Sequence, residues 1–370
     1  MEFIVNVYWI LRRSYSLFRR TIKNSSKGGV ILFRRMFDAN LKPNYLWLET
    51  TDRCNSKCAF CNIWKKSPTE NMLTPTEIET ALKDPVFKRL KAVVVSGGEL
   101  TLRKDIKEII MSIHKAVPKA ELVLNSNGIL SDRLIDVVQF SLDNNKRIHV
   151  GVSLDGIGTN HDRLRGVPGL FQKIDSLFYR LLELKKKHGN RLKLSAGFVL
   201  SNATVTDLLP VKRYVERLGV EFNLQWFIAA DYYENTEQNL LSDTFAIEQA
   251  IKEIPPTIVN DKGIRFLHGE SIRYICFSMF NFCLLKCNGD IVPCFDMWDL
   301  KIGNIREMSP SGIWKSKEAG IARQRVRKCQ GCLSNCAIPW SYGPIFFPRI
   351  LFNLRHPEVL KNKIIKRTKS

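Results

Sequence analysis

This 370-residue sequence predicts an α/β fold built on a parallel sheet, on three observations. From Asn44 onward, short apolar runs alternate with helical stretches, the pattern of successive βα units. Each apolar run ends in small or polar residues of the kind that gather ligands at strand ends. The ten cysteines fall into two groups, within 54–61 and 276–336, which favours metal binding over a disulfide framework in a chain this long. The length allows two domains and a large core.

Tyr45 opens the first predicted strand, 45–50, and a cysteine-bearing loop follows it. Thr74-Pro75 opens a helix, with Thr76 and Glu77 in its first turn. The run 92–96, with Val93-Val94-Val95 at its centre, reads as a buried strand, and 103–117 as an amphipathic helix. Strands are expected at 121–124, 149–154, 192–200 and 220–228, with helices at 170–187 and 208–218. Six βα units over 44–228 are too few for a closed eight-stranded barrel. Residues 229–275 read as a linker with one helix, 242–254, stopped by Pro255-Pro256. A cysteine-rich unit, 276–340, comes next, and basic segments at 1–43 and 341–370 flank the whole.

Cys54, Cys58 and Cys61 are spaced Cys-x3-Cys-x2-Cys. Iron–sulfur clusters are held by thiolates, usually four per [4Fe–4S]. Three close thiolates hold three irons and leave the fourth with an open site, as a catalytic metal has. Half a zinc site is the alternative, although the next histidine after Cys61 is His114. After the second strand stand Gly97, Gly98 and Glu99: glycines allow close backbone approach to a ligand, and a glutamate accepts hydrogen bonds from an ammonium. A plain turn explains that triplet equally well. After the third strand come Asn125, Ser126, Asn127 and Gly128, and after the fourth Ser153, Asp155, Gly156, His161, Asp162, Arg163 and Arg165. Their hydroxyls and amides suit a ribose and an arginine suits a carboxylate, while Asn-Gly and Asp-Gly are also common turns. Gln225 reads as an adenine or substrate contact, or as an inward barrel glutamine.

With these motifs in order, the chain resembles the radical S-adenosylmethionine (SAM) enzymes over roughly 44–340. In that family the open iron chelates the methionine end of SAM, and reductive cleavage makes a 5′-deoxyadenosyl radical. The resemblance implies an open six-stranded partial barrel, a [4Fe–4S] cluster on Cys54, Cys58 and Cys61, and Phe60 at the aromatic position. It implies that Gly97, Gly98 and Glu99 hold the amino group of SAM, with Asn127, Ser153 and Arg165 as further contacts. Reduced flavodoxin or ferredoxin is the implied electron donor. Leu100 departs from the family, which has proline there, and leaves the ligand-facing residues intact.

The second group comprises Cys276-x17-Cys294, Cys329-x2-Cys332 and Cys336, with a tight hairpin at Asn288-Gly289-Asp290. It resembles the SPASM/Twitch extension of the same family, as do Gly303-Asn304-Ile305 and Ile313-Trp314. The full SPASM form carries more cysteines for two clusters, and none follows Cys336 here. One auxiliary [4Fe–4S] is therefore expected, most simply on Cys276, Cys294, Cys329 and Cys332, with Cys336 able to replace one. Cys283 and Cys287 read as buried small hydrophobes, and a zinc ribbon is the alternative for the region.

Of the net charge of +21, residues 1–45 carry +7 and residues 340–370 carry +6. Ile4, Val7, Tyr8, Leu11, Tyr15 and Phe18 recur at helical spacing beside Arg12, Arg13, Arg19 and Arg20. Phe346, Phe347, Ile350, Leu351 and Leu354 repeat the pattern near the C-terminus. Such a helix suits an anionic membrane surface or packs on the enzyme's own barrel; no nucleic-acid motif supports that third partner. The apolar run 3–11 is too short to span a bilayer, which needs about twenty residues, and its basic residues follow it, unlike a signal peptide. A cytoplasmic enzyme, peripheral on the inner face of the membrane, is the expectation. Its expected chemistry is hydrogen abstraction from an unactivated C–H bond with net oxidation. The termini favour a membrane-associated lipid or glycan, ahead of a ribosomally made peptide and a sugar or aminocyclitol. A non-catalytic Fe–S electron carrier is the reading from another class, and a carrier needs no SAM site.

Overall fold

The computed structural model describes residues 41–272, 274 and 276–334. The basic terminal segments and Cys336 lie outside the described residues. Six strands, β1 (Tyr45–Thr51), β2 (Ala92–Gly97), β3 (Glu121–Ser126), β4 (Ile148–Ser153), β5 (Leu192–Leu200) and β6 (Glu221–Trp226), lie side by side in chain order, all parallel. The other edge of β1 pairs in parallel with β7 (Phe282–Leu285), in the register Tyr45↔Phe282 to Leu48↔Leu285. β8 (Asp290–Val292) and β9 (Gly303–Asn304) continue antiparallel, so the sheet runs β6-β5-β4-β3-β2-β1-β7-β8-β9 and stays open. The cysteine-rich region is thus an extension of the barrel sheet through β7.

Alternation along the strands sorts the core. Leu46 and Leu48 on β1, with Val93 and Val95 on β2, join the large apolar cluster. The intervening Trp47 and Val94 belong to a second cluster on the opposite face. Helices α1 (Pro75–Leu82), α2 (Ile106–Ala116), α3 (Ser131–Asp143), α4 (Thr159–Arg165), α5 (Leu170–His188) and α6 (Leu208–Arg217) occupy the crossovers. Ile109, Ile110 and Ile113 of α2, Val137 and Val138 of α3, and Ile174, Leu177 and Phe178 of α5 are fully buried in the large cluster.

Local chemistry sets the helix ends. Thr74 Oγ1 accepts from the Glu77 amide at 3.2 Å and Glu77 Oε2 accepts from the Thr74 amide at 2.8 Å, a reciprocal cap on α1. The helix expected from 103 begins at Ile106. Arg103 is engaged instead, donating to the Thr50 and Leu73 carbonyls at 2.9 Å each and pairing with Asp105 at 2.8 Å. Pro255-Pro256 ends α7 (Thr244–Lys252) as expected, but a further helix, α8 (Ile258–Leu267), follows. Its start is capped by Thr257, which accepts from the Asn260 amide at 3.0 Å. Among the described residues, no helix is long and apolar enough to cross a membrane.

α8 is seated on Trp226, whose indole donates to Asn260 Oδ1 at 3.2 Å. A Cβ added at Gly263 would stand 2.1 Å from the Trp226 ring. Gly263→Ala gains about 1 kcal/mol of helix propensity, yet the rigid ring cannot yield. A net loss of about 1–3 kcal/mol is expected in urea unfolding; an unchanged midpoint would show that α8 is not held against the ring.

Candidate active site

One cavity of about 240 Å³ opens at the C-terminal ends of β1–β6. Cys54, Cys58, Phe60, Cys61, Gly97, Gly98, Glu99, Asn127, Ser153, Arg165 and Gln225 all line it, with Asn125 and Ser126, whereas Gly128, Asp155, Gly156, His161, Asp162 and Arg163 do not. Strand direction explains this: parallel strands put every following loop on the same side of the sheet.

The glycines are demanded by contact. Gly98 N donates to the Thr51 carbonyl at 2.7 Å, and Glu99 N to the Arg53 carbonyl at 2.8 Å. A Cβ at Gly97 or Gly98 would stand 2.1 Å from the Thr51 or Arg53 oxygen, and Gly97 sits at φ +132°. The cysteine loop leaving β1 is thereby laid against the end of β2.

Glu99 is 1% exposed and its carboxylate already has four donors. Oε1 accepts from Thr101 N at 3.1 Å, Thr101 Oγ1 at 2.7 Å and Ser126 Oγ at 2.8 Å. Oε2 accepts from Asn127 N at 2.7 Å, which ties the end of β2 to the end of β3. Asn127 in turn donates to Asn55 Oδ1 at 2.8 Å and reaches Cys54 Sγ at 3.9 Å. The Ser153 hydroxyl and the Gln225 amide form no hydrogen bond among the described residues and line the cavity.

Arg165 is buried, its Nε donating to Asp155 Oδ2 at 2.6 Å and its Nη1 to Cys58 Sγ at 3.4 Å. The guanidinium carbon lies 5.3 Å from the Phe60 ring centroid. Burial disfavours the cation, but the Asp155 carboxylate and the Cys58 thiol more than offset it and raise the Arg165 pKa. The carboxylate this arginine meets within the chain is therefore Asp155.

A group of aromatic residues not foreseen from sequence also lines the cavity. Tyr232, Tyr233, Phe295 and Trp64 line it with Trp47. Trp47 meets Tyr232 edge-on at 5.1 Å and Phe295 at 5.0 Å. Burial raises the Tyr232 pKa, and its neutral hydroxyl donates to the Gly97 carbonyl at 2.9 Å. The Tyr232-Tyr233 pair was the available signal, in a stretch that reads as a linker.

The four expected auxiliary ligands, Cys276, Cys294, Cys329 and Cys332, line one separate cavity with Tyr274, whose hydroxyl lies 3.3 Å from Cys332 Sγ. Phe295 lines both cavities. Cys283 and Cys287 are placed elsewhere: Cys283 is fully buried in β7 opposite Leu46, and Cys287 N donates to Glu49 Oε2 at 3.1 Å.

The donor sets fit iron–sulfur clusters. Burial pushes Cys54 up to about 11 and Cys61 up to about 12, so the metal-free thiols stay protonated. Burial likewise pushes Cys332 up to about 11 and raises Cys294 further. Ligand thiols ionise when a cationic core arrives, and binding releases the protons. Among the described residues, no group of three or more His, Cys, Asp or Glu side chains closes on a single ion; cluster thiolates sit on separate irons.

The family model of the Radical SAM superfamily matches residues 48–194, and that of the SPASM iron–sulfur cluster-binding domain matches 276–336. The chain belongs to the radical SAM superfamily and carries a SPASM domain. The first domain implies a [4Fe–4S] cluster and SAM, and the second an auxiliary Fe–S cluster. Fe-coproporphyrin III synthase of Methanosarcina barkeri is 32% identical over 174 residues, 47% of this chain and 42% of that protein. GTP 3′,8-cyclase of Aquifex aeolicus is 30% identical over 182 residues, 47% and 53% of the two chains. The chain spans about half the length of these curated relatives. Among solved structures, Streptococcus suis SuiB bound to precursor peptide SuiA superposes with a TM-score of 0.59 at 16% identity, over 82% of this chain and 72% of that one. The anSMEcpe structure with bound AdoMet gives 0.58 at 20% identity, over 78% and 84%. These likenesses show the fold.

The buried pair behind Cys58 generates a prediction. Asp155→Ala leaves Arg165 as an uncompensated buried cation and should lower the stability of the metal-free chain by about 3–5 kcal/mol in urea unfolding. The double variant Asp155→Leu/Arg165→Met should recover part of that loss. A single variant as stable as wild type would mean that water reaches the guanidinium.

Proposed function

We propose that the chain is an enzyme that cleaves SAM reductively and removes a hydrogen atom from an unactivated C–H bond, with net oxidation of its substrate. When bound, the cluster and SAM supply a 5′-deoxyadenosyl radical; the protein's part is to bind, orient and exclude. The observation that carries this reading is the single cavity joining Cys54, Cys58 and Cys61 to the ends of β2, β3 and β4.

Cys54, Cys58 and Cys61 hold the first cluster. Glu99 sets the ends of β2 and β3 and would accept from the amino group of SAM. Asn127 and Ser153 offer amide and hydroxyl groups to the sugar. Arg165, pinned by Asp155, presents a fixed cation beside Cys58. The wall of Trp47, Tyr232, Tyr233 and Phe295 keeps water from the reacting atoms. Cys276, Cys294, Cys329 and Cys332, which line one cavity, would hold the auxiliary cluster, and that cluster would supply the electron acceptor a net oxidation needs. Reduced flavodoxin or ferredoxin supplies the electron that starts the reaction.

A membrane-associated lipid or glycan is the proposed substrate class, supported by the basic, aromatic terminal sequences. A peptide substrate is the second reading, favoured by the fold shared with SuiB, which its structure shows bound to a precursor peptide.

Iron per chain after anaerobic reconstitution tests the cluster assignment. About eight irons should fall to about four in the Cys54/Cys58/Cys61→Ala variant, and its release of 5′-deoxyadenosine under dithionite should vanish. Four irons falling to none would leave the second cysteine set without a cluster and remove the oxidative role.

A further inference from the structure

At the opposite end of the barrel, the turns entering β3, β4 and β5 enclose a cavity of about 540 Å³. Lys91, Lys119, Lys146, Arg147, Arg191 and Lys193 line it, against one carboxylate, Glu121. Two of these cations are engaged. Lys193 pairs with Glu121 at 2.6 Å, and Arg191 donates to the Leu142 carbonyl and to Asn145 Oδ1 at 3.0 Å each. Lys91, Lys119, Lys146 and Arg147 form no side-chain hydrogen bond or ion pair among the described residues.

Lys146 is the unusual member, being only 7% exposed. Its place is set by the end of α3. Lys146 N donates to the Ser141 carbonyl at 3.0 Å and Asn145 N to the Leu142 carbonyl at 3.0 Å, with Asn145 left-handed at φ +57°. This is a Schellman closure, whose following position usually carries an apolar side chain packed back on the helix. Here that position holds a lysine. The covered stem leaves the ammonium facing the cavity, where it meets no counter-charge among the described residues, and desolvation lowers the Lys146 pKa. Its field reaches across the cavity: His114 of α2 is lowered by burial and then by Lys146. Sheet and helix geometry would be served as well by an apolar residue, so a cation facing the cavity at this position suits an anionic ligand.

We propose that this cavity is a second ligand site, which binds a phosphoryl group with Lys146 as its central cation. Four unengaged cations around one opening match a dianion with several acceptor oxygens better than a lone carboxylate. The volume lies in the range of small-molecule sites, about 300–1,000 Å³. Free pyrophosphate and a phospholipid headgroup share this chemistry. The site stands apart from the cysteine-lined cavity and does not rest on the reaction assigned there.

The test is calorimetric titration of the full chain with inorganic pyrophosphate, beside co-sedimentation with phosphatidylcholine vesicles with and without phosphatidic acid. Lys146→Met should weaken pyrophosphate binding by about tenfold or more, and Lys146→Arg should retain most of it. Binding should weaken as salt rises, and 5′-deoxyadenosine release should be unchanged in both variants. The exposed pair Lys119→Gln/Arg147→Gln gives an independent loss should Lys146→Met fold poorly. If Lys146→Met and the exposed pair lower vesicle binding but wild type ignores pyrophosphate, the occupant is a headgroup. Absence of pyrophosphate and vesicle binding, or binding indifferent to these substitutions, would overturn the proposal.

Discussion

The structure depends on the contact between two backbone segments, Thr51–Arg53 and Gly97–Glu99. Two amides of the second donate to two carbonyls of the first at 2.7 and 2.8 Å, and any side chain at Gly97 or Gly98 would break the approach. This junction fixes where the cysteine loop leaves β1 relative to the end of β2. Through Glu99 it also fixes Ser126 and Asn127 at the end of β3. Three separated stretches of sequence are thereby held rigidly around one cavity, as a site that must orient a reactive fragment requires.

β1 carries a second set of constraints, because it is paired on both edges. On one side lies β2 and on the other β7, so the cysteine-rich region grows from the barrel sheet. Trp47 on β1 packs against Tyr232, Phe295 and Trp298, which come from segments far apart in sequence. Glu49, two residues on, accepts from the Cys287 amide. The two thiol sets thus share one rigid partition, with Phe295 facing both.

Legibility followed the range of the interactions. The parallel strands were readable because each is an apolar run bounded by polar residues, and Thr74 with Glu77 announced its helix by local capping. Cys54, Cys58, Cys61 and the Gly-Gly-Glu triplet were readable because their chemistry needs close spacing. The start of α2 at Ile106 was not, since Arg103 is drawn into hydrogen bonds with Thr50 and Leu73, remote carbonyls that leave no local trace. α8 was missed because Pro255-Pro256 reads as a stop, while Thr257 supplies a new cap. The Tyr232 wall was missed because its role depends on packing against Trp47.

Residue type and spacing were therefore sufficient for the α/β class, the succession of six strands, the grouping of the cysteines and the glycine turn, all of which rest on local pattern, while the open barrel was implied by the family resemblance those motifs carry. Three things emerged only on folding. They are the fusion of the second thiol region to β1, the pairing of Arg165 with Asp155 and Cys58, and the convergence of six cations, Lys146 among them, at the far end of the barrel. Each joins residues whose separation along the chain carries no periodic or spacing signal. Such contacts exist when strands come into register, and not before.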